Sequence, residues 1–276
     1  MIFKNFFSLI MIEQTLFSLP FAYIGIVLGG GAQLNIWIWV SIALFAARTA
    51  GMCFNRAIDA KFDALNPRTA DRHIPAGIVN KKAVWIIGII ASCLLVFCAW
   101  MINALCFYLS FLAVFILVTY SFLKRFSAVT HFYLGLIEAA APIGGYFAAT
   151  GSFDLFPIIP GVAIMFWISG FDILYATQDE KFDKSVGLHS IPALLGKTKA
   201  LIVSVACYVL AIAFLAFMGY LWLADNFYYS MLILVTVVLG AQQFIIWFKS
   251  DNPKALKYLF RLNKFVAPII FAGLLL

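Results

Sequence analysis

Charged side chains are scarce in this chain. Asp, Glu, Lys and Arg together make up 11% of its 276 residues, whereas a soluble domain carries roughly 25%. Hydrophobic residues account for 64% of the sequence, and no soluble domain remains once the apolar segments are removed. The composition therefore excludes an ordinary soluble protein. It predicts an all-α polytopic membrane protein whose residues 1–276 form a single transmembrane domain.

Cysteine is also sparse, and the five cysteines show no close Cys-x-x-Cys pairing. Zinc sites of the common types need such pairs, so the sequence excludes them. Four of the five cysteines lie in apolar segments, and Cys53 lies just before the first polar motif. We interpret all five as small hydrophobic side chains and not as zinc ligands or disulfides.

Apolar windows of about 20 residues predict helices that span the membrane. Nine such windows occur in the sequence, and the last of them is short. The predicted spans lie near residues 11–30, 35–54, 83–102, 104–123, 131–150, 157–177, 200–222, 228–248 and 262–276.

Lysine and arginine are absent from every second connection between these spans. Eighteen of the nineteen basic residues lie at position 4 or in segments 55–82, 124–130, 178–199 and 249–264. The positive-inside rule assigns such segments to the cytoplasm. We therefore predict a protein of the cytoplasmic (inner) membrane, with its amino terminus inside and its carboxyl terminus outside. The net charge of +7 then reflects topology, so the bilayer is the expected partner and nucleic acid is not.

Two polar motifs interrupt the apolar pattern on the predicted cytoplasmic side. Asn55, Asp59 and Asp63 are spaced by four residues and therefore line one face of a helix. Asp179 and Asp183 repeat the carboxylate spacing later in the chain. Carboxylates near a bilayer persist mostly where they coordinate something, so two facing clusters predict a Mg²⁺ site. The alternative is a pair of solvated polar loops.

The position of the two motifs also predicts an internal repeat. Each motif follows an even-numbered span, and four spans separate them. The two halves of the chain therefore run in the same direction across the membrane. This indicates two parallel four-helix repeats followed by one additional helix.

Basic side chains accompany both motifs. Arg48, the nineteenth basic residue, lies inside the second span and on nearly the same helix face as Asn55. A guanidinium group at this depth matches a substrate carboxylate, and the alternative is a structural ion pair. Other polar residues near the motifs suit a Mg²⁺-bound diphosphate, although Lys124 and Arg125 also fit a plain topological anchor. These candidates are Arg68, Arg72, Lys124, Arg125, Lys184 and Ser190.

At these residues the chain resembles the UbiA superfamily of intramembrane aromatic prenyltransferases. Besides the first Asp motif, the resemblance rests on Arg68-Thr-Ala-Asp-Arg72, on Tyr120-Ser-Phe-Leu-Lys124-Arg125 and on the second motif with its Tyr175-Ala lead. It covers nearly the whole chain. The branch that looks most similar contains the 4-hydroxybenzoate polyprenyltransferases and their relatives in futalosine-route menaquinone synthesis. Asn66-Pro-Arg-Thr-Ala70 and Gly170-Phe-Asp-Ile-Leu-Tyr-Ala176 look like the second group.

The resemblance implies a helical bundle around a central cavity and a specific reaction. A polyprenyl group would pass from polyprenyl diphosphate to an aromatic hydroxy acid of the 4-hydroxybenzoate type, in respiratory quinone biosynthesis. Arg48 would hold the carboxylate of the acid, and four catalytic aspartates with Asn55 would bind the Mg²⁺ cofactor. The metal set is Asn55, Asp59, Asp63, Asp179 and Asp183, and the remaining substrate-binding candidates are Arg68, Arg72, Tyr120, Lys124, Arg125, Tyr175, Lys184 and Ser190. Arg56 is a departure, because many members carry Asp at that position.

Other functions fit part of the sequence. A dihydroxynaphthoate acceptor, in menaquinone biosynthesis, would use the same chemistry. A small-molecule transporter would explain the intramembrane Arg48 and Glu138, although acids clustered at one membrane face argue against it. A membrane phosphotransferase would carry an Asp-Gly-x-x-Ala-Arg signature, which the sequence lacks. No motif specifies the prenyl chain length or the oligomeric state.

Overall fold

The structure, a computed structural model, describes residues 2–249 and 253–275. Within these ranges the chain forms helices and no β-strand, so the predicted all-α class is confirmed. The elements are α1 (Ile2–Leu9), α2 (Ile12–Leu28), α3 (Leu34–Leu65), α4 (Lys81–Ile102), α5 (Ala104–Leu123), α6 (Thr130–Thr150), α7 (Ile158–Ala176), a 3₁₀ turn (Thr177–Asp179), α8 (Glu180–Val186), α9 (Ile191–Leu195), α10 (Lys197–Leu221), α11 (Asn226–Lys249) and α12 (Pro253–Leu275).

Seven helical segments of the described chain are long and apolar enough to cross a membrane. Two of the nine predicted spans therefore do not reach this length and apolarity. α2 has 17 residues, which rise about 26 Å at 1.5 Å per residue and fall short of a hydrocarbon core of about 30 Å. α12 carries charged residues, including Arg261 and Lys264. The qualifying segments are α3, α4, α5, α6, Ile158–Val186, α10 and Asn226–Phe248.

The predicted orientation of the termini can be tested by labelling two exposed loop positions. Ala70 follows α3, and Ser152 follows α6. The positive-inside rule places the first inside the cell and the second outside. We expect an impermeant maleimide to label Ser152→Cys in intact cells, above the wild-type background, and to label Ala70→Cys only after the membrane is opened. The reverse pattern would overturn the predicted topology.

The chain divides into two compact units. Unit 1 comprises Met1–Leu19 and Gln33–Phe122, and unit 2 comprises Pro20–Ala32 and Leu123–Leu276. The division inside α2 falls at Pro20, a residue that removes a helical hydrogen bond. The single domain, the parallel repeat and the central cavity stay predictions.

Unit 1 is built on α3, which packs against α4. The rings of Phe54 and Trp85 lie 5.4 Å apart. A Cβ at Gly88 would lie 2.8 Å from the Phe54 ring, so the glycine leaves the space that this ring needs. A second buried cluster joins α3 and α4 to the junction between α1 and α2, and consists of Leu9, Ile10, Cys53, Ala57 and Val84. This packing fixes the part of α3 that carries the first motif.

Unit 2 is organised around α7, a largely apolar helix most of whose residues are buried. Trp167 is 1% exposed, and the ring of Phe21 meets it edge-on with a centroid distance of 5.2 Å. Its indole Nε1 donates a hydrogen bond to Asn263 Oδ1 at 2.9 Å. The carboxyl end of this fixed helix leads directly into the second motif.

Two helical segments of unit 2 touch through their backbones. A Cβ at Gly25 in α2 would overlap the carbonyl oxygen of Pro142 in α6, and a Cβ at Gly145 would overlap that of Ala22. Small residues allow membrane helices to approach this closely. At the neighbouring Gly144, by contrast, a Cβ would meet no atom within 4 Å.

Gly145→Ala is therefore expected to destabilise the protein by about 1–3 kcal/mol, because α2 and α6 would have to separate. Gly144→Ala is the matched control, since it replaces a glycine at the next position of the same helix. The midpoint of thermal unfolding in one detergent should fall for Gly145→Ala and stay constant or rise for Gly144→Ala. Equal midpoints would contradict the close approach.

Candidate active site

The first motif lies at the carboxyl end of α3. This helix has 32 residues, more than the about 20 that span a bilayer, so its last turns extend beyond the apolar part. Asn55 Nδ2 donates a hydrogen bond to Asp59 Oδ2 at 3.0 Å. The predicted alignment of these two side chains on one face is therefore present in the structure.

Asp63, one turn after Asp59, is buried and already paired with a cation. Arg72 donates from a terminal guanidinium nitrogen to Asp63 Oδ1 at 2.6 Å. The chain returns to this point because α3 ends at Leu65 and Thr69 Oγ1 donates to the Asp63 carbonyl oxygen at 3.0 Å. The other carboxylate oxygen, Oδ2, is buried and accepts no hydrogen bond. A buried oxygen of this kind is costly unless a ligand satisfies it.

Arg48 is half-buried on α3, and one of its partners is an amide. One terminal guanidinium nitrogen donates to Gln14 Oε1 at 2.9 Å. Gln14 neutralises no charge, so this contact orients the arginine without forming an ion pair. Sequence reasoning did not connect Gln14 with Arg48, because 34 residues separate them.

Arg56, the departure from the family pattern, lies on a different face of α3 from Asn55. It is 9% exposed, and a terminal guanidinium nitrogen lies 3.2 Å from the Met11 sulfur. The pKa of His73 is lowered from its ordinary value, first by burial and then by the charge of Arg56. Arg56 therefore adds positive charge close to the loop that follows the first motif.

The second motif spans the 3₁₀ turn and α8 in unit 2. Asp179 closes the 3₁₀ turn, and Asp183 lies on α8 with no exposed surface. Ser190 Oγ donates to Asp183 Oδ2 at 2.8 Å. Lys124 Nζ lies 2.9 Å from Asp183 Oδ1, in an ion pair whose angles are not those of a hydrogen bond. Both oxygens of Asp183 therefore have a polar neighbour.

The loop after α8 brings Ser190 and Lys124 together. Gly187 ends α8 with a φ of 69°, a left-handed conformation that glycine adopts without strain. The His189 amide then donates to the Lys124 carbonyl oxygen at 2.8 Å. Ser190 caps α9 by accepting a hydrogen bond from the Ala193 amide at 3.3 Å. The cap and the Asp183 contact thus use the same hydroxyl group.

A buried histidine, His131, is hydrogen-bonded to the backbone of this loop. His131 Nδ1 lies 2.6 Å from Asp172 Oδ2, and the Ile191 amide donates to His131 Nε2 at 3.2 Å. Sequence reasoning gave neither His131 nor Asp172 a role. Two signals for Asp172 were its place in the family-like segment Gly170–Ala176 and its position seven residues before Asp179.

The remaining predicted residues are spread over both units. Lys184 is half-exposed and pairs with Glu180 at 2.7 Å, one turn earlier on α8, and not with Asp183. Arg68 is exposed, and its amide donates to Asn66 Oδ1 at 3.0 Å. Half-buried positions are occupied by Tyr120 in unit 1 and by Arg125 and Tyr175 in unit 2.

In each unit, a buried motif aspartate thus lies next to a cation, Asp63 next to Arg72 and Asp183 next to Lys124. Across residues 2–249 and 253–275, no three His, Cys, Asp or Glu side chains form a group that could hold a metal ion. The donor chemistry nevertheless fits Mg²⁺, which prefers carboxylate oxygens, and the unsatisfied Asp63 Oδ2 is such a donor. A cavity of about 520 Å³ between α4 and α5 contains no predicted site residue, because its lining is Ser92, Cys93, Val96, Phe97, Trp100, Phe107, Phe111 and Val114.

Comparison with known proteins assigns the family. Residues 18–265 match the UbiA prenyltransferase family. The chain belongs to this family. The resemblance drawn from the motifs is therefore confirmed, and so is the enzyme class, a prenyltransferase that spans the membrane several times.

Among relatives of this UbiA-family enzyme are two named 4-hydroxybenzoate octaprenyltransferase. The one from Tolumonas auensis is 26% identical over 269 residues, which cover 98% of this chain and 91% of the relative. The one from Vibrio campbellii is 28% identical over 274 residues, with coverage of 98% and 92%. These alignments extend over nearly the full length of both partners.

Solved structures of UbiA homologues share the fold of this UbiA-family chain. The apo structure of a homologue from Aeropyrum pernix K1 is 33% identical, covers 95% of this chain and 96% of its own, and superposes with a TM-score of 0.88. A homologue from Archaeoglobus fulgidus, bound to DMAPP and Mg²⁺, is 19% identical with coverage of 98% and 99% and a TM-score of 0.71.

Proposed function

We propose that this UbiA-family enzyme transfers a polyprenyl group from polyprenyl diphosphate to an aromatic hydroxy acid of the 4-hydroxybenzoate type, with Mg²⁺ as cofactor. The observation that carries the proposal is the pairing of a buried motif aspartate with a cation in each unit, Asp63 with Arg72 and Asp183 with Lys124. A Mg²⁺-bound diphosphate needs both kinds of partner, carboxylates for the metal and cations for the phosphate oxygens.

The names of the relatives support the same reaction. Two relatives aligned over nearly their full length are called 4-hydroxybenzoate octaprenyltransferase, and a homologue of the same fold, from Archaeoglobus fulgidus, was solved bound to Mg²⁺ with DMAPP or with GPP. We propose by extension that the enzyme acts in respiratory quinone biosynthesis in the cytoplasmic membrane. Its predicted topology places both motifs on the cytoplasmic side.

Both aspartate motifs supply oxygen ligands in this proposal. Asn55 holds Asp59 in one orientation through their 3.0 Å hydrogen bond, and Asp63 offers an oxygen that accepts no hydrogen bond. The metal set would be Asn55, Asp59, Asp63, Asp179 and Asp183. When bound, Mg²⁺ neutralises the diphosphate and makes it a better leaving group.

Arg72 and Lys124 have two roles in this proposal. In the substrate-free protein they neutralise the buried carboxylates of Asp63 and Asp183. With metal on the carboxylates, the same two cations would be available to the phosphate oxygens, and Arg68 and Arg125 would add positive charge, each in its own unit. Tyr120, Tyr175, Lys184 and Ser190 complete the proposed substrate-binding set.

The covalent change is an exchange of one bond for another. The bond between prenyl C1 and the diphosphate oxygen breaks, and the diphosphate leaves with the electron pair. The ring carbon ortho to the phenol hydroxyl forms a bond to C1 and then loses its proton. Arg48, oriented by Gln14, holds the carboxylate of the acceptor in this proposal, so the ring is presented in one orientation.

A competition between acceptors tests the proposal. Purified enzyme receives Mg²⁺, a prenyl diphosphate and equal amounts of 4-hydroxybenzoate and a dihydroxynaphthoate, and the products are separated by mass. We expect prenylated 4-hydroxybenzoate. Prenylated naphthoate would instead favour the acceptor suggested by Asn66-Pro-Arg-Thr-Ala70. Release of pyrophosphate without either product would refute an aromatic acid acceptor.

A further inference from the structure

A chain of hydrogen bonds in unit 2 lies behind the second motif and involves no predicted site residue. It runs from Asp172 on α7 to His131 on α6 and on to the backbone of Ile191 at the start of α9. The His131 side chain is 3% exposed. A backbone amide can only donate, so Nε2 is the accepting nitrogen and Nδ1 donates its proton to Asp172. Both ring nitrogens are used, which fixes the ring in one orientation.

The residue that His131 anchors is adjacent to one that contacts the second motif. Ile191 follows Ser190, whose hydroxyl group donates to Asp183 at 2.8 Å and accepts from the Ala193 amide at 3.3 Å. The amide on the other side of Ser190 belongs to His189 and donates to the Lys124 carbonyl oxygen. Backbone bonds on both sides therefore hold Ser190 in place against Asp183.

A second buried polar network in the same unit offers a comparison. Tyr208 donates to Gln242 at 2.7 Å, and Gln242 and Trp167 both donate to Asn263. This network joins α7, α10, α11 and α12. The His131 chain differs because it ends at the loop that holds Asp183.

We propose that His131, held by Asp172, is a positioning residue that fixes Ser190 and through it Asp183 for the binding of a metal–diphosphate complex. This inference rests on the proposed function. Residues that orient metal ligands typically change metal affinity or activity by about 10–100-fold when they are replaced. The effect belongs to the diphosphate site, so the aromatic acceptor is bound as before.

Two substitutions separate the contacts of the imidazole. In His131→Asn the amide nitrogen replaces Nδ1, which keeps a donor for Asp172 but removes the acceptor for Ile191. In His131→Gln the longer side chain places an amide oxygen near the former Nε2 and restores that acceptor. Tyr208→Phe is the control, because it removes a buried hydrogen bond of the same unit without touching the loop.

His131→Asn is expected to raise the KM for prenyl diphosphate by about tenfold or more and to leave the KM for the aromatic acid unchanged. Calorimetric titration with Mg²⁺ and pyrophosphate, which needs no turnover, should show the same loss of affinity. His131→Gln should recover most of it. Tyr208→Phe should lower the unfolding temperature without changing either KM. If His131→Asn behaves like Tyr208→Phe, the histidine only stabilises the fold and the inference is wrong.

Amide hydrogen exchange distinguishes a failure of this inference from a failure of the proposed function. The Ile191 amide should exchange about tenfold faster in His131→Asn than in wild type, and near the wild-type rate in His131→Gln. If wild type binds no Mg²⁺–pyrophosphate, the proposed function fails even when exchange changes as expected. If exchange at 187–195 is the same in all variants, the positioning of the loop by His131 is refuted.

Discussion

Asp183→Asn is expected to reduce prenyl transfer by about a hundredfold to a thousandfold or more, while the protein remains folded and inserted. The asparagine keeps an oxygen for the Ser190 hydroxyl group but loses the charge that Mg²⁺ requires. Loss of one preorganised electrostatic partner at a reacting centre typically costs a factor of this size. Lys124 is 34% exposed, so its ammonium group can turn toward water once its partner is gone. Prenyl transfer and the midpoint of thermal unfolding measure the two effects.

Lys124→Met, in contrast to Asp183→Asn, should lower the free energy of unfolding markedly. It leaves the fully buried Asp183 charge without a counter-ion, and breaking a buried ion pair in this way costs roughly 3–5 kcal/mol. The double variant Lys124→Met/Asp183→Asn removes both charges and should recover most of the stability but none of the activity. If the double variant is as unstable as the sum of the two single variants, Asp183 and Lys124 are not coupled, which would contradict their ion pair.

Arg48→Ala is expected to raise the KM for the aromatic acid by about a hundredfold or more, with little change in the KM for prenyl diphosphate. The reason is that a substrate carboxylate would lose a guanidinium partner inside the membrane, at a cost of roughly 3–5 kcal/mol. Arg48→Lys keeps the charge but loses the planar fork, so it should be partly active. Steady-state kinetics with each substrate varied in turn gives both KM values.

Gln14 provides a second test of the same acceptor pocket. Its amide oxygen accepts a hydrogen bond from Arg48 at 2.9 Å, and Gln14→Glu would place a carboxylate there instead. This carboxylate should compete with the acceptor and raise the KM for the aromatic acid. Gln14→Met, which removes the amide acceptor without adding a carboxylate, should raise it much less. If these variants change the KM for prenyl diphosphate instead, Arg48 belongs to the diphosphate site.

The helical class and the first motif could be predicted from sequence because both depend on patterns among residues that are close together in the chain. A run of about 20 apolar residues suffices to predict a spanning helix, and a spacing of four residues predicts one helix face. The Asn55–Asp59 hydrogen bond is the direct result of that spacing. The same rule would have predicted the Glu180–Lys184 pair on α8, which gives Lys184 a local partner.

The contacts between elements could not be predicted in this way. His131 and Asp172 are 41 residues apart, and their meeting depends on how α6 packs against α7. Residue type likewise did not show that Arg56 turns toward Met11. Two of the nine predicted spans fall short for different reasons. An apolar window does not fix the helix ends, and α2 stops after 17 residues; α12 is long enough but carries charged residues.

The most direct test of the proposed reaction is the stoichiometry of products in purified, reconstituted enzyme. Prenyl diphosphate and 4-hydroxybenzoate are supplied with Mg²⁺, with EDTA, or without the acid, and both prenylated acid and pyrophosphate are quantified. We predict one pyrophosphate for each prenylated acid with Mg²⁺, and neither product in the other two samples. Movement of either substrate across the membrane without release of pyrophosphate, or release that does not depend on the acid, would contradict a prenyltransferase of aromatic acids.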